Sequence, residues 1–365
     1  MITIKKGMIS DELKKFPIVL YGAGFAGRQC SKILKSHSVN VDIFVDDDRT
    51  KNGKCIEELT VYSYEQLVDY CRKKEHVNVI LTSIYGVQIA KKVEKIPNVT
   101  IYEMYDWYTE IVMPDRFGEM IYDEESIEKY KNNIEKLKKY LEDEESGLIF
   151  ENLYQYMKTG DINYIYEVSS AEEQYFIKEV LEYFGERAFS IIDAGAYEGE
   201  LIRAISELNL NVKEWYCFET NKENYEKLAE HAGENNFKGK QICVHKGLWN
   251  KNTSLHVFGS GTSSKVEEGE YQGNTVDMVT IDEYFKDTPI DLIKMDIEGA
   301  EMNALKGGMK VIKRDRPVLA VSIYHSLEDY YEILKLLLKE LSNYKYYVRH
   351  HSMVFCETVL YAIPE

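Results

Sequence analysis

The chain has 365 residues, 44% hydrophobic and 29% charged, a composition that suits a folded globular protein with room for two separate cores. It carries 62 acidic residues against 45 basic ones, a net charge of −17. This argues against nucleic acid or an anionic membrane surface as the main partner, since both are bound through basic patches. No apolar run approaches the roughly 20 residues of a membrane span, the N-terminus has no signal-peptide core, and the six cysteines are scattered without a CxxC pair. Together these predict a cytoplasmic protein with free thiols, no membrane insertion, and neither a zinc site nor a disulfide framework.

In chain order, Pro17 to Tyr21 predicts a buried strand, and Gly22-Ala23-Gly24-Phe25-Ala26-Gly27 then opens a helix reaching about Lys35. A second strand at 41–45 ends on Asp46-Asp47-Asp48, and strands at 77–82 and 99–102 flank a helical stretch at 86–95. Strands alternating with helices imply a parallel sheet, so residues 1–113 read as a Rossmann-like α/β domain. Gly22, Gly24 and Gly27, with Asp46 at the next strand tip, have the spacing of a loop that cradles a nucleotide. The alternative is a structural or docking domain that keeps the glycines for the turn. The opening is similar to the Rossmann-like N-terminal domains of sugar-modifying enzymes, which implies a nucleotide or nucleotide sugar as a ligand there.

From about Pro114 to Gly185 the sequence turns helical, acidic and tyrosine-rich, and we read 114–185 as a helical linker and lead-in. Ile127, Tyr130, Ile134, Leu137 and Leu141 recur at helical spacing and form one apolar stripe. Acids at 123 to 125 open that helix, and Lys136, Lys138 and Lys139 close it, as the helix dipole favours. The stripe either docks on its own chain or pairs two copies in a homodimer through 123–145.

Residues 186–365 read as a second α/β domain. Strands are predicted at 190–194, 214–218, 241–245, 291–295, 318–323, 344–349 and 357–362, with a hairpin-like pair near 253–258 and 275–280 inserted between the third and fourth. The last two strands have no helix between them and should pair antiparallel. Ile191-Ile192-Asp193-Ala194-Gly195-Ala196-Tyr197-Glu198-Gly199 follows the first strand and opens a helix. Its glycines permit a tight turn and close approach of a ligand, while the acid Glu219 at the tip of the second strand suits ribose hydroxyls. Lys246-Gly247, Asp296, His325 and Arg349-His350 also fall at strand ends on one edge of the sheet, where ligands bind in open α/β folds. The run Lys294 to Glu301 is the densest of these, with Asp296, Glu298 and Glu301 where strand four meets a helix.

As a set these segments resemble the FkbM family of S-adenosylmethionine-dependent methyltransferases. The residues carrying the likeness are Asp193 to Gly199, Phe218 to Asn221, Val279 to Asp282, Ile293 to Glu301, Lys306-Gly307, Arg316-Pro317, Ser322 to His325, Arg349 to Ser352 and Glu357 to Tyr361. They span roughly the last 190 residues. Glu172 to Phe176 looks like the family's lead-in helix, whereas Thr220 and Ser326-Leu327 depart from its pattern, the second beside the acceptor pocket.

The resemblance implies a class I methyltransferase seven-stranded sheet and methyl transfer from S-adenosyl-L-methionine to a hydroxyl of a sugar, nucleotide sugar or glycan, with a place in polysaccharide biosynthesis. Donor contacts would fall on Asp193, Gly195, Tyr197, Glu198, Gly199, Glu219, Asn221, Gly247 and Leu248. His325 is the first candidate for the base, since imidazole titrates near neutrality, and Asp296 is the second. Glu298 and Glu301, three apart on a helix face, are assigned with Tyr324, Arg349 and His350 to the acceptor. A divalent cation held with Asp296 is the alternative use of those acids. Arg349 suits a phosphate or carboxylate on the acceptor. Two other functions stay open: an NAD-dependent oxidoreductase working through the first domain, and a non-catalytic scaffold for glycan assembly.

Overall fold

The computed structural model describes residues 11–104, 122–234, 237–258, 265–267 and 275–365. The chain divides into two compact units. The first holds the residues up to Asp123 with Ser169–Ala171 and Ser352–Val354; the second holds Glu124–Val168, Glu172–His351 and Phe355–Glu365. Among the described residues no helix is long and apolar enough to cross a membrane.

The first unit is built on β1 (Ile18–Tyr21), β2 (Ile43–Val45), β3 (Cys55–Ile56), β4 (Leu59–Tyr62), β5 (Val77–Leu81) and β6 (Val99–Glu103), ordered β3-β4-β2-β1-β5-β6. All pairings are parallel except β3 with β4. The central strands β1, β2 and β5 are buried at every position, because a parallel sheet covered on both faces leaves no polar side. Among the described residues the unit's α-helices are Phe25–Ser36, Tyr64–Cys71 and Gly86–Val93. The strands at β3 and β4 and the helix at Tyr64–Cys71 go unread in the sequence, although that helix opens on a reciprocal cap. The Ser63 hydroxyl accepts from the Gln66 amide, and the Gln66 side chain accepts from the Ser63 amide.

In the second unit the strands are β7 (Phe189–Ala194), β8 (Val212–Phe218), β9 (Lys240–Val244), β10 (Gly247–Leu248), β11 (Thr253–Phe258), β12 (Lys265–Glu267), β13 (Thr275–Val279), β14 (Leu292–Met295), β15 (Val318–Ser322), β16 (Tyr344–His350) and β17 (Thr358–Pro364). Seven of them form one sheet ordered β16-β17-β15-β14-β7-β8-β9. All neighbours are parallel except β17, which runs antiparallel to both β15 and β16. This is the sheet the sequence implies, including the antiparallel close. β11 and β13 pair antiparallel as expected, within a small separate sheet ordered β10-β13-β11-β12.

Helices Glu124–Leu137, Glu144–Thr159 and Asn163–Val168 pack within this second unit. Asp143 caps the second of them by accepting from the Ser146 amide, and Gly160, at φ +69, ends it. The apolar stripe is buried at Ile127, Tyr130, Ile134 and Leu137. Tyr130 meets Phe150 and Tyr330 edge to face and donates to the Phe150 carbonyl, so its own chain occupies this face and it is not a coiled-coil seam. Leu141 leaves the stripe, because the helix tightens at Lys138–Tyr140 and Leu141 bridges to Tyr346. Glu172 to Phe176 is a turn rather than a helix: Tyr175 sits at φ +71, and the helix starts only at Lys178.

Candidate active site

Two loops meet at the carboxyl ends of β7 and β14. Gly195 lies at φ +76, and a Cβ there would stand 1.9 Å from the Asp296 carbonyl oxygen, so only glycine lets the loop after β7 press onto the end of β14. Beneath the loop, Lys294 Nζ pairs with Asp193 at 3.0 Å and donates to the carbonyls of Ala194 and Gly195 at 3.2 and 2.7 Å. Trp215 Nε1 donates to the other Asp193 oxygen at 3.1 Å. Burial disfavours the Lys294 ammonium, but Asp193, Asp296 and Glu219 outweigh it and raise its pKa. Asp193 is therefore a buried strut that holds the loop from below, not a side chain facing the cleft.

The remaining donor-side residues divide by what they hold. Glu219 accepts from the Tyr197 amide at 2.9 Å and the Asn221 amide at 2.7 Å, while burial raises its pKa. The Asn221 side chain caps the helix Lys222–Glu234 by accepting from the amides of Glu223 and Asn224. Tyr197 and Gly199 take positive φ in the turn, and Glu198 pairs with Lys227 at 2.6 Å. Gly247 and Leu248 are buried in β10 and pair in parallel with β13.

On the β14 side the structure gathers acids and phenols. Tyr175 donates to Asp296 Oδ2 at 2.8 Å. Tyr324 lies 3.1 Å from Asp296 Oδ1 and 3.2 Å from Glu357 Oε1. Gln174 donates to the other Glu357 oxygen at 2.7 Å. Burial first, then Asp296, pushes the Glu357 carboxyl up to about 7. His325 sits among three carboxylates: Glu301 is 3.0 Å from Nδ1, and Asp296 and Glu298 are 3.4 and 3.8 Å from Nε2. Burial opposes the imidazolium, yet Glu301, Asp296 and Glu298 together lift its pKa to about 10.

Glu298 does not share a helix face with Glu301. Glu298 and Gly299 adopt φ +56 and +96, and the helix begins only at Glu301, whose fully buried carboxylate accepts from the amides of Ile297 and Gly299. An acid placed to satisfy those amides turns the chain back and brings Glu301 beneath His325.

Arg349 and His350 stay out of the cleft. Arg349 lies in β16, 2% exposed, with Asp143 at 2.7 Å, Glu179 at 3.2 Å, Glu172 at 3.5 Å and Glu145 at 3.6 Å. Its charge is taken up by acids of the preceding helical segment rather than by an acceptor. His350 is fully buried and bonded to Thr358 Oγ1 at 2.8 Å. Tyr175, Gln174, Lys294 and Glu357 enter the site unforeseen as functional groups. A lysine inside the apolar strand β14 was the one visible sign, since a lone charge there needs a buried partner.

In the first unit the glycine loop follows β1 as expected. Gly27 allows the helix Phe25–Ser36 to close on the loop, since a Cβ there would stand 1.8 Å from the Gly22 carbonyl oxygen. A Cβ at Gly24 would meet nothing within 4 Å. Asp46 accepts from the Ala23 amide at 2.8 Å and pairs with Lys51 at 3.1 Å, so this carboxylate braces the loop.

Residues 193–346 match the family model of the methyltransferase FkbM domain. The chain carries an FkbM methyltransferase domain. The matched residues include both loops that meet over β7 and β14, and the enzyme class is methyltransferase. The crystal structure of methyltransferase FkbM from Methylobacillus flagellatus KT aligns at TM-score 0.57 and 19% identity, covering 95% of this chain and 89% of that one, a likeness of fold. UDP-D-quinovosamine 4-dehydrogenase from Vibrio fischeri aligns at TM-score 0.22 and 21% identity over 30% of this chain and 85% of its own. A SAM-dependent methyltransferase from Aquifex aeolicus aligns at 0.31 and 15% identity over 55% and 97%. No curated protein matches the chain.

A methyltransferase of this fold is expected to use S-adenosylmethionine, which carries its methyl group already activated on sulfur. The residues present suit it. The Tyr197–Gly199 turn offers backbone at close range, and each Glu219 oxygen takes one amide and keeps a lone pair for a ribose hydroxyl.

Proposed function

We propose that the enzyme methylates a hydroxyl of a sugar, nucleotide sugar or glycan. The observation that supports this reading is the direct seating of the donor loop on the acid cluster. At Gly195 the loop backbone lies against the Asp296 carbonyl, and the Asp296 side chain is grouped with Tyr324, Glu298 and the buried Glu357. Carboxylates are strong acceptors of hydroxyl hydrogen bonds and repel an anionic centre, which favours a neutral polyol at the reacting end of the acceptor.

Methyl transfer needs the hydroxyl held in line with the donor and a group to take its proton. Both His325 ring nitrogens face carboxylates and the side chain is only 5% exposed, so it orients the acids. Asp296, with 21% of its side chain exposed and both oxygens steered by Tyr175 and Tyr324, is the group that meets the hydroxyl. Calorimetric titration with S-adenosylmethionine, then a screen of saccharides and nucleotide sugars for gain of one methyl group, tests the proposal. Tight donor binding with no saccharide methylated, beside methylation of an amine or a carbon acid, would overturn it.

For the first unit we infer a nucleotide or nucleotide-sugar site at the loop of Gly22, Gly24 and Gly27. The supporting observation is the open space at Gly24, against the filled surroundings of Gly22 and Gly27. Gly24 has φ −77, which any residue adopts, so Gly24→Val should fold normally and lose such binding. If the native chain binds neither NAD nor a uridine-diphosphate sugar, the unit is a structural domain.

A further inference from the structure

Asp296, Glu301 and His325 each offer a ligand atom, and these atoms all lie within 4.8 Å of one another. Acids alone would say little, since such clusters often only solvate. The histidine is the independent observation. Its side chain is 5% exposed and both ring nitrogens face carboxylates, Glu301 at 3.0 Å from Nδ1 and Asp296 and Glu298 at 3.4 and 3.8 Å from Nε2, none of them with well-formed hydrogen-bond geometry. A buried imidazole normally makes well-formed hydrogen bonds, so carboxylates gathered around it off that geometry suit shared ligation of an ion. Each prospective ligand is also held from behind, as ligands in metal sites are. Asp296 is gripped by the Tyr175 and Tyr324 hydroxyls, and Glu301 by the amides of Ile297 and Gly299. Glu298, 3.8 Å from Nε2, stands at the open side.

We propose that Asp296, Glu301 and His325 bind one divalent cation of the manganese class, with Glu298 as an outer or fourth ligand. This deepens the methyltransferase reading and rests on it for the use of the ion, which would be to seat acceptor hydroxyls beside the donor loop. Two hard carboxylates favour magnesium or manganese, and the imidazole shifts the preference to manganese. Three protein ligands leave coordination positions open for hydroxyl oxygens or water.

The test uses the full chain, stripped with a chelator and titrated with Mn²⁺ without donor or acceptor. Electron paramagnetic resonance should count one bound ion per chain, and spin-echo modulation should detect a directly coordinated imidazole nitrogen. Tyr175→Phe should weaken the site about 10-fold by releasing Asp296, and His325→Gln should remove the nitrogen signal. S-adenosylmethionine titration of each variant reports whether the fold is intact. Because the native protein alone gives the nitrogen signature, the result does not depend on a variant folding. No Mn²⁺ bound at millimolar concentration, or binding without nitrogen coordination, overturns the metal site. Neither result touches the methyltransferase reading, which stands or falls on donor binding and methylated product.

Discussion

The Tyr175 hydroxyl donates to Asp296 Oδ2 at 2.8 Å, joining the turn before the sheet to the end of β14 across 121 positions of sequence. This bond makes Asp296 a fixed acceptor rather than a mobile surface acid. A hydrogen bond to a charged group is worth about 1.5–3 kcal/mol, and each ~1.4 kcal/mol is tenfold in rate. Tyr175→Phe should therefore lower kcat by about 10- to 100-fold and leave the dissociation constant for S-adenosylmethionine unchanged. A variant with native kcat would make the bond incidental.

Lys294 and Asp193 form the buried pair under the donor loop. Removing one partner strands a charge at a cost of about 3–5 kcal/mol. Lys294→Met should lower the urea midpoint sharply, and adding Asp193→Asn should recover part of the loss. Donor affinity should stay weak in both, because the tether to the Ala194 and Gly195 carbonyls is gone. Additive losses in the double variant would show that the two side chains act separately.

Arg349 should matter to the fold and not to the acceptor. Arg349→Leu leaves Asp143, Glu145, Glu172 and Glu179 without their shared cation, so unfolding stability should fall by about 3–5 kcal/mol. The fraction that folds should keep a native KM. A raised KM with unchanged stability would return Arg349 to the acceptor.

Acid sensitivity should trace in part to His351. Burial, then His350 and Arg349 beside it, push its imidazole down to about 3, whereas an unfolded histidine titrates near ~6.5. Between those limits the unfolded chain binds the proton and the fold does not. Stability present above about pH 6.5 is therefore lost as pH falls toward 3, by at most ~1.4 kcal/mol per pH unit for one group. His351→Gln should be less stable than the native chain at pH 7 and lose less between pH 7 and pH 5. Equal losses in urea titrations of the two proteins would place the acid sensitivity elsewhere.

What the sequence made legible follows from how local each signal is. Continuous apolar runs such as Phe189–Ala194 and Val318–Ser322 announce buried parallel strands, and polar residues at or just past their ends, Asp193 and His325, mark the edge where the site lies. Partnerships across long stretches of chain are not local. The acids around Arg349 lie 170 or more positions away, so its burial could not be read from Arg349-His350 alone. The turn at Glu298-Gly299 was hidden because acids spaced three apart fit a helix equally well, and Tyr175 was hidden because its positive φ leaves no mark in the residue pattern.

Hydroxyl methylation at the Asp296 cluster is decided by the products of one incubation. The native chain and its Asp296→Asn variant are incubated with methyl-labelled S-adenosylmethionine and a panel of saccharides and nucleotide sugars, and products are read by mass spectrometry. The native chain should place a single labelled methyl on a saccharide oxygen. Asp296→Asn should give no product while binding the donor with native affinity. Full turnover by Asp296→Asn, or label on nitrogen or carbon, would contradict hydroxyl methylation at this cluster.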